Sequence, residues 1–132
     1  MPAHENWLAI AKEDLLAAKG LLKLGLFSSA LFHCQQSVEK SLKAYLTFKK
    51  HPISKTHDLV HLLELCMSFD PEFKKVYEAA DYINPFATRF RYPTEFDIPD
   101  IDVTKKAIKL AENTVKYVLK KIEMPIAGQM KI

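Results

Sequence analysis

The chain has 132 residues, of which 48% are hydrophobic and 27% charged, and its formal net charge is +3. This length suits one domain with a single core and excludes two, and the composition is that of a folded globular chain. The mild positive charge is compatible with an anionic ligand or nucleic acid without requiring either.

No segment has the pattern of a secretion signal or a membrane span. Residues 1–7 read MPAHENW, and the longest uncharged run, residues 24–38, contains serine, histidine and two glutamines. Cys34 and Cys66 are too few for a disulfide framework and fall on apolar helical faces. The sequence therefore predicts a cytoplasmic protein with both thiols reduced.

The first two predicted helices form a tight antiparallel hairpin. The first covers residues 5–24, and Gly25 follows it at a position that favours positive φ. Ser28 or Ser29 is predicted to cap the second helix, which ends near Lys49 and Lys50. The buried stripe of the first helix is predicted to be Leu8, Ala11, Leu15, Ala18 and Leu22.

Residues 30–46 of the second helix carry an apolar stripe and a polar row on neighbouring faces. The predicted core stripe is Phe27, Leu31, Cys34, Val38, Leu42 and Tyr45. The predicted polar row is His33, Gln36, Glu39, Lys40 and Lys43, with Gln35 beside it. Amide and charged groups on a helix built for burial need partners, so this row is the first candidate for a binding site.

The remaining chain predicts three more helices. The third covers residues 57–68, with Thr56 as its cap, and the fourth begins at Asp70-Pro71-Glu72. Residues 86–101 hold two arginines and two prolines and predict an ordered loop. The last helix begins at Asp100 or Asp102, ends near Ile122 and faces water with six lysines, which form a solvated surface or meet RNA or an acidic partner. These lysines are Lys105, Lys106, Lys109, Lys116, Lys120 and Lys121.

No window alternates like a strand without a better helical interpretation. The fold class is therefore predicted to be an all-α bundle of about five helices. Residues 1–122 form the single domain, and residues 123–132, interrupted by Pro125 and Gly128, form a mobile tail.

Four motifs in this order resemble the HEPN domain, a family named for nucleotide binding in higher eukaryotes and prokaryotes. They are Trp7 with Asp14-Leu15, F-x-x-Q-Q-x-x-E-K-x-L-K over residues 32–43, His57-Asp58-Leu59, and Arg91-Tyr92-Pro93. The resemblance covers residues 6–122 and implies an antiparallel helical bundle, commonly a homodimer. It also implies a minimal nucleotidyltransferase partner, often encoded alongside. Some members are metal-independent ribonucleases that act as toxins or defence effectors.

The ribonuclease members carry an arginine followed four to six residues later by a histidine, and this chain lacks that order. Its only arginines are Arg89 and Arg91, and all five histidines precede them. RNA cleavage without metal needs a group that moves the 2′-hydroxyl proton and a cation beside the phosphate. The remaining candidates for an atypical arrangement are His57 and Arg91.

The sequence offers an anion site in place of that motif. Arg89 and Arg91 can fork onto a phosphate, and Tyr92, Phe90 or Phe86 can stack on a base. Gln36, Glu39, Lys40, Lys43 and His57 are the further ligand candidates. In the alternative interpretation, Arg91 pairs with Glu39 or an aspartate and fixes the loop to the bundle without any ligand.

His57, His61 and Glu64 have the i, i+4, i+7 spacing of one helical face, but nothing evident completes a metal coordination sphere, so no metal or cofactor is predicted beyond a nucleotide ligand. Two function classes stay open. The first is a non-catalytic HEPN-type module, a homodimer that binds a nucleotide or docks a nucleotidyltransferase in a toxin–antitoxin-like pair. The second is a metal-independent ribonuclease with an atypical site.

Overall fold

The computed structural model describes residues 2–89 and 99–130, with side chains as far as residue 123. Within these ranges the fold contains five α-helices and no strand, so the predicted all-α class is confirmed. The helices are α1 Ala3–Lys23, α2 Phe27–Phe48, α3 Leu59–Phe69, α4 Tyr77–Ile83 and α5 Ile101–Met130. Two 3₁₀ turns, Pro71–Val76 and Asn84–Ala87, flank α4. In the described part of the chain, no helix has the length and apolar character needed to cross a membrane.

Helix α2 lies at the centre of the bundle. Helix α1 packs along its length, α5 packs against both, and α3 and α4 cover another side of α2. The stretch from Ser41 to Leu46 is buried without a break, because other helices contact α2 on several sides. The aromatic ring of Phe73 fills the interior between the rings of Tyr45 and Tyr117.

The turn between α1 and α2 is closed by the backbone. Gly25 has φ 75°, as its position after a helix predicts. The Leu26 N–H donates to the Leu21 carbonyl, and the Gly25 N–H donates to the Leu22 carbonyl. The predicted serine cap of α2 is wrong, because α2 begins at Phe27 and has no side-chain cap. The turn is too short to place a serine before the first helical residue.

Helix α3 begins two residues later than predicted. Asp58 caps it by accepting hydrogen bonds from the N–H groups of Val60 and His61. Thr56, the predicted cap, instead accepts from the N–H of Asp58. Aspartate is the stronger cap of the two, so the helix starts at Leu59 and His57 lies in the preceding loop.

The fourth and fifth helical segments differ from the prediction in where the fourth begins and where the fifth ends. Asp70 caps its segment as predicted, by accepting from the Glu72 N–H, but residues 71–76 form a 3₁₀ turn before α4. Asp100 caps α5 through the Val103 N–H. The predicted end of α5 near Ile122 is wrong, since the helix continues through Pro125 to Met130. The earlier end was predicted because an interior proline removes one helical hydrogen bond and crowds the carbonyl four residues before it.

Candidate functional site

A chain of hydrogen-bonded polar side chains runs along α2. Lys40 Nζ donates to Gln36 Oε1 at 2.7 Å, and Gln36 Nε2 donates to Gln35 Oε1 at 2.7 Å. Gln35 Nε2 in turn lies 3.2 Å from Glu39 Oε1 and 3.1 Å from the carbonyl oxygen of His57. The polar row predicted from the sequence is therefore a connected network, and it is joined to the α2–α3 loop.

Glu39 and Lys43 form the buried part of this network. Their side chains are 2% and 9% exposed, and Lys43 Nζ lies 3.1 Å from Glu39 Oε2. The ammonium of Lys43 also sits 5.8 Å from the centre of the Trp7 ring. The sequence placed both residues in the polar row without indicating what covers them. Trp7 covers Lys43, and the loop that carries His57 covers Glu39.

The neighbours of Glu39 keep its carboxylate charged. Burial would by itself raise the pKa of Glu39, but hydrogen bonds from His57, Lys43 and Gln35 outweigh burial and hold this pKa below its ordinary value. The Glu39 carboxylate thus already accepts hydrogen bonds from three side chains. Its negative charge also prevents it from binding a negatively charged molecule directly.

His57 and Lys40 are the accessible part of the network. The His57 side chain is 71% exposed, and its Nδ1 lies 2.9 Å from Glu39 Oε1. Because the carboxylate occupies Nδ1, the other ring nitrogen is turned toward solvent. Lys40 is 18% exposed, and its ammonium lies 3.9 Å from Glu39 and closer to the amide oxygen of Gln36. Both side chains keep hydrogen-bonding capacity for a ligand.

The space at the Lys43 end of the network is too small for a nucleotide. A cavity of about 10 Å³ separates Trp7 and Lys43 from the loop at His51 and Pro52. That volume holds about one water molecule. A ligand would therefore approach the network from the Gln36, Lys40 and His57 side.

Arg89 lies beyond the second 3₁₀ turn, which is fastened to the start of α3. Asn84 Oδ1 accepts from the Leu59 N–H at 2.8 Å, and Asn84 Nδ2 donates to Asp58 Oδ1 at 3.0 Å. This clamp brings the turn that precedes Arg89 beside the loop that carries His57. Arg89 is exposed, and its charge acts on the phenol of Tyr82.

Two predicted ligand residues, Arg91 and Tyr92, lie outside the described residues, as does Phe90. Phe86 does not serve the predicted stacking role. Its side chain is only 4% exposed and packs edge-to-face on Tyr82, with ring centres 5.6 Å apart. The ring is part of the core and presents no face to a base.

The spacing of His57, His61 and Glu64 does not correspond to one helical face, because His57 precedes α3. Among the residues that the structure describes, no group of three histidine, cysteine, aspartate or glutamate side chains is placed to hold a metal ion. His57 has instead the carboxylate of Glu39 as its partner.

Two contacts of this polar network were not predicted from the sequence. Gln35 is fully buried and links Glu39 to the His57 backbone. Asp14 of α1 lies 2.9 Å from Nδ1 of His33, so the polar row continues across to the first helix. The adjacent glutamines were a signal for Gln35, since a buried amide needs partners, but no local pattern pairs Asp14 with His33.

Comparison with known proteins shows the family and the fold of this chain. The model of the HEPN domain family matches residues 4–122. The crystal structure of ST0689, an archaeal HEPN homologue, superposes with a TM-score of 0.77 at 23% identity, over 92% of this chain and 99% of that one. The crystal structure of TT1696 from Thermus thermophilus superposes with a TM-score of 0.75 at 24% identity, over the same shares. No curated protein matches the chain. The matched family model spans nearly the whole sequence, and this chain therefore belongs to the HEPN domain family.

Proposed function

We propose that this chain is a non-catalytic HEPN module that binds the phosphate of a nucleotide at the exposed edge of the α2 network. The observation that carries the proposal is the pair of accessible cationic or donor groups, Lys40 and His57. Lys40 is held by half-buried Gln36, and His57 is held by buried Glu39. Lys40 donates to an amide and leaves two N–H groups for an anion. The absence of an arginine that precedes a histidine supports a binding role over a catalytic one.

Calorimetric titration with ATP, GTP and AMP tests the proposal. Binding should weaken at least about tenfold in Lys40→Ala, which removes a charge-assisted hydrogen bond worth about 1.5–3 kcal/mol. Arg91→Ala tests whether the segment after Arg89 contributes to the same site. The matched control is Lys55→Ala, which removes an exposed lysine from the α2–α3 loop that carries His57. This variant should bind nucleotides with the affinity of the wild type. Absence of nucleotide binding by the folded wild type would exclude this function.

We further propose that the module works as a homodimer with a minimal nucleotidyltransferase, as a toxin–antitoxin-like pair in the cytoplasm. Large apolar side chains exposed on and after α1, namely Leu16 at 69% and Leu24 at 73%, support a partner surface. The unpaired thiols of Cys34 and Cys66 support a reducing compartment. Light scattering should give twice the chain mass of 15.1 kDa, and co-purification with a nucleotidyltransferase encoded beside it would test the partner.

A second candidate function is RNA cleavage without metal, and one observation favours it. Glu39 fixes Nδ1 of His57 and leaves the other ring nitrogen facing solvent, which is how a carboxylate prepares an imidazole as a general base. His57 would take the 2′-hydroxyl proton while the 2′ oxygen attacks phosphorus, and the 5′ oxygen would leave and gain a proton from water. Cleavage that resists chelators and is abolished by His57→Ala would favour this function, whereas equal cleavage by that variant would exclude it.

A further inference from the structure

The lysines of α5 differ in their surroundings. Two of them contact side chains of other elements. Lys106 Nζ lies 4.6 Å from the centre of the Tyr82 ring, and Lys121 Nζ lies 2.7 Å from Asp70 Oδ2. The prediction that Lys121 faces water is therefore wrong, because its side chain is only 15% exposed. The other four lysines of the helix are exposed to solvent, namely Lys105, Lys109, Lys116 and Lys120.

These four lysines form a single stripe. At 100° per residue they lie on the side of α5 opposite to the buried residues Ala107, Ala111 and Val118. The stripe extends over the sixteen residues 105–120, whose ends lie about 22 Å apart along the helix axis. Their charges therefore point away from the core along a line comparable in length to several nucleotides.

Helix α1 adds lysines beside this stripe. Lys19 Nζ pairs with Glu112, and Lys12 lines the same surface groove as Leu119, so the two helices run antiparallel in a fixed register. Lys12 consequently lies near the C-terminal half of the stripe, and Lys23, one turn beyond Lys19, lies near its N-terminal half. We define the lysine face as Lys12, Lys19, Lys23, Lys105, Lys109, Lys116 and Lys120.

The carboxylates near the lysine face do not cancel its charge. Glu112 lies within it, but Lys19 and Lys116 both contact this carboxylate. Glu5 and Glu123 lie at the far end of the groove, Asp102 lies in the first turn of α5, and Glu13 is exposed on the outer side of α1. The face therefore carries seven lysines against one carboxylate within it, although the whole chain carries only +3.

We propose that the lysine face binds the phosphodiester backbone of a nucleic acid. Lysine acts as a point charge on phosphate, and rows of lysines attract polyanions through counterion release without reading bases. Tyr117 lines a surface pocket with Lys116 and Lys120, but it is half-buried and its ring packs edge-to-face on Phe73. It is therefore held by the core and is not free to anchor a protein partner. The site is separate from the α2 network and does not depend on the nucleotide site proposed above.

Fluorescence anisotropy of the full-length protein with labelled single-stranded RNA and DNA of about 20 nucleotides tests this inference. The wild type should bind both with similar affinity, because nothing on the face is placed to recognise the 2′-hydroxyl. In Lys109→Glu/Lys120→Glu, affinity at about 50 mM salt should fall at least about tenfold. The slope of log affinity against log salt should become shallower by about 1.4, or about 0.7 for each lost contact.

The matched control is Lys55→Glu/Lys74→Glu, which changes the net charge equally at exposed lysines outside the lysine face. This control should lose less than about threefold in affinity. Equal losses in both double variants, or no binding by the wild type at about 50 mM salt, would overturn the proposal. Displacement of the oligonucleotide by polyglutamate at equal charge concentration would identify an acidic protein as the ligand and would also overturn it. In calorimetry, Lys109→Glu/Lys120→Glu should bind ATP, GTP and AMP as the wild type does, so failure of the nucleotide proposal is distinguishable from failure of this one.

Discussion

Glu39 and Lys43 are a buried pair of opposite charges. The pair contributes to the stability of the fold only when both charges are present. In each single replacement by methionine, the remaining charge stays buried without its main partner. Glu39→Met should therefore lower the free energy of unfolding by about 3–5 kcal/mol. Glu39→Met/Lys43→Met should lower it by less than the single variant does, because no uncompensated charge remains. Urea unfolding followed by circular dichroism measures both.

Lys40→Met is the matched control for this comparison. Its side chain is partly exposed and 3.9 Å from Glu39, so its loss should cost less than about 1 kcal/mol. The test of coupling compares Glu39→Met/Lys43→Met with its two single variants, Glu39→Met and Lys43→Met. If the double variant loses as much stability as the two single variants lose together, Glu39 and Lys43 are not a coupled pair.

The depressed pKa of Glu39 predicts a specific acid response. A carboxyl group whose pKa is lower in the folded state binds its proton more weakly there than in the unfolded chain. Its contribution to stability is therefore complete above the unfolded pKa, about 4.3 for glutamate, and is lost as the pH falls through the lower folded pKa. The stability difference between wild type and Glu39→Gln should narrow as the pH falls from about 6 to about 3. A difference that stays constant over this range would show that Glu39 does not titrate as described.

At this scale the sequence grouped the right residues but did not predict how deeply each of them is buried. Helical periodicity placed Gln36, Glu39, Lys40 and Lys43 on one side of α2. Two hydrogen bonds join members of that row to each other, and two more join the row to Gln35. Periodicity says which residues share a face and says nothing of what covers it. The cover of Glu39 comes from a loop eighteen residues away, and such contacts have no local signature.

Helices were easier to predict than their ends. All five helices were predicted because each carries an apolar stripe at helical spacing, whereas two of the caps, at Ser28 or Ser29 and at Thr56, were placed wrongly. The true starts depend on competition among neighbouring groups. Asp58 outcompetes Thr56 for α3, and a backbone turn at Gly25 replaces any side-chain cap for α2.

The C-terminal end of α2 provides a prediction at the scale of the element. Lys50 has φ 61°, a left-handed conformation that is costly for a residue with a Cβ atom. It closes the helix in the same way as Gly25, with the His51 N–H bound to the Leu46 carbonyl. Lys50→Gly should therefore raise the free energy of unfolding by about 0.5–1 kcal/mol, measured by urea unfolding. Lys50→Ala removes the same side chain but keeps the unfavourable φ, and a gain of equal size in that variant would contradict the explanation.

At the scale of the molecule, the fold was predictable and the site only in part. Apolar stripes and short connections were enough to predict a helical bundle. The order of the motifs was enough to identify the HEPN family. The pairs that shape the polar surface are Glu39 with His57 and Asp14 with His33. Each joins separate elements, so it depends on how helices pack, which one sequence does not encode in any local pattern.

The two cysteines report whether the bundle opens as one unit. Cys34 and Cys66 are fully buried in the core on α2 and α3, and burial raises the pKa of each thiol to about 12. Thiol reagents attack only an accessible thiolate, so both residues should react only when the core opens. Labelling of the native protein should be at least about 10³-fold slower than in the urea-unfolded chain, as expected for a domain stable by about 5 kcal/mol or more.

Mass spectrometry of digested protein gives the labelling rate of each cysteine separately. Because α2 contacts every other helix and α3 packs directly on it, opening of the core should expose Cys34 and Cys66 together. Their rates should then agree within about threefold and rise in parallel with urea. Much faster labelling of Cys66 alone would show that α3 detaches while α1, α2 and α5 stay packed. The Asp58 and Asn84 clamp that fastens the start of α3 beside the candidate site would then open without global unfolding.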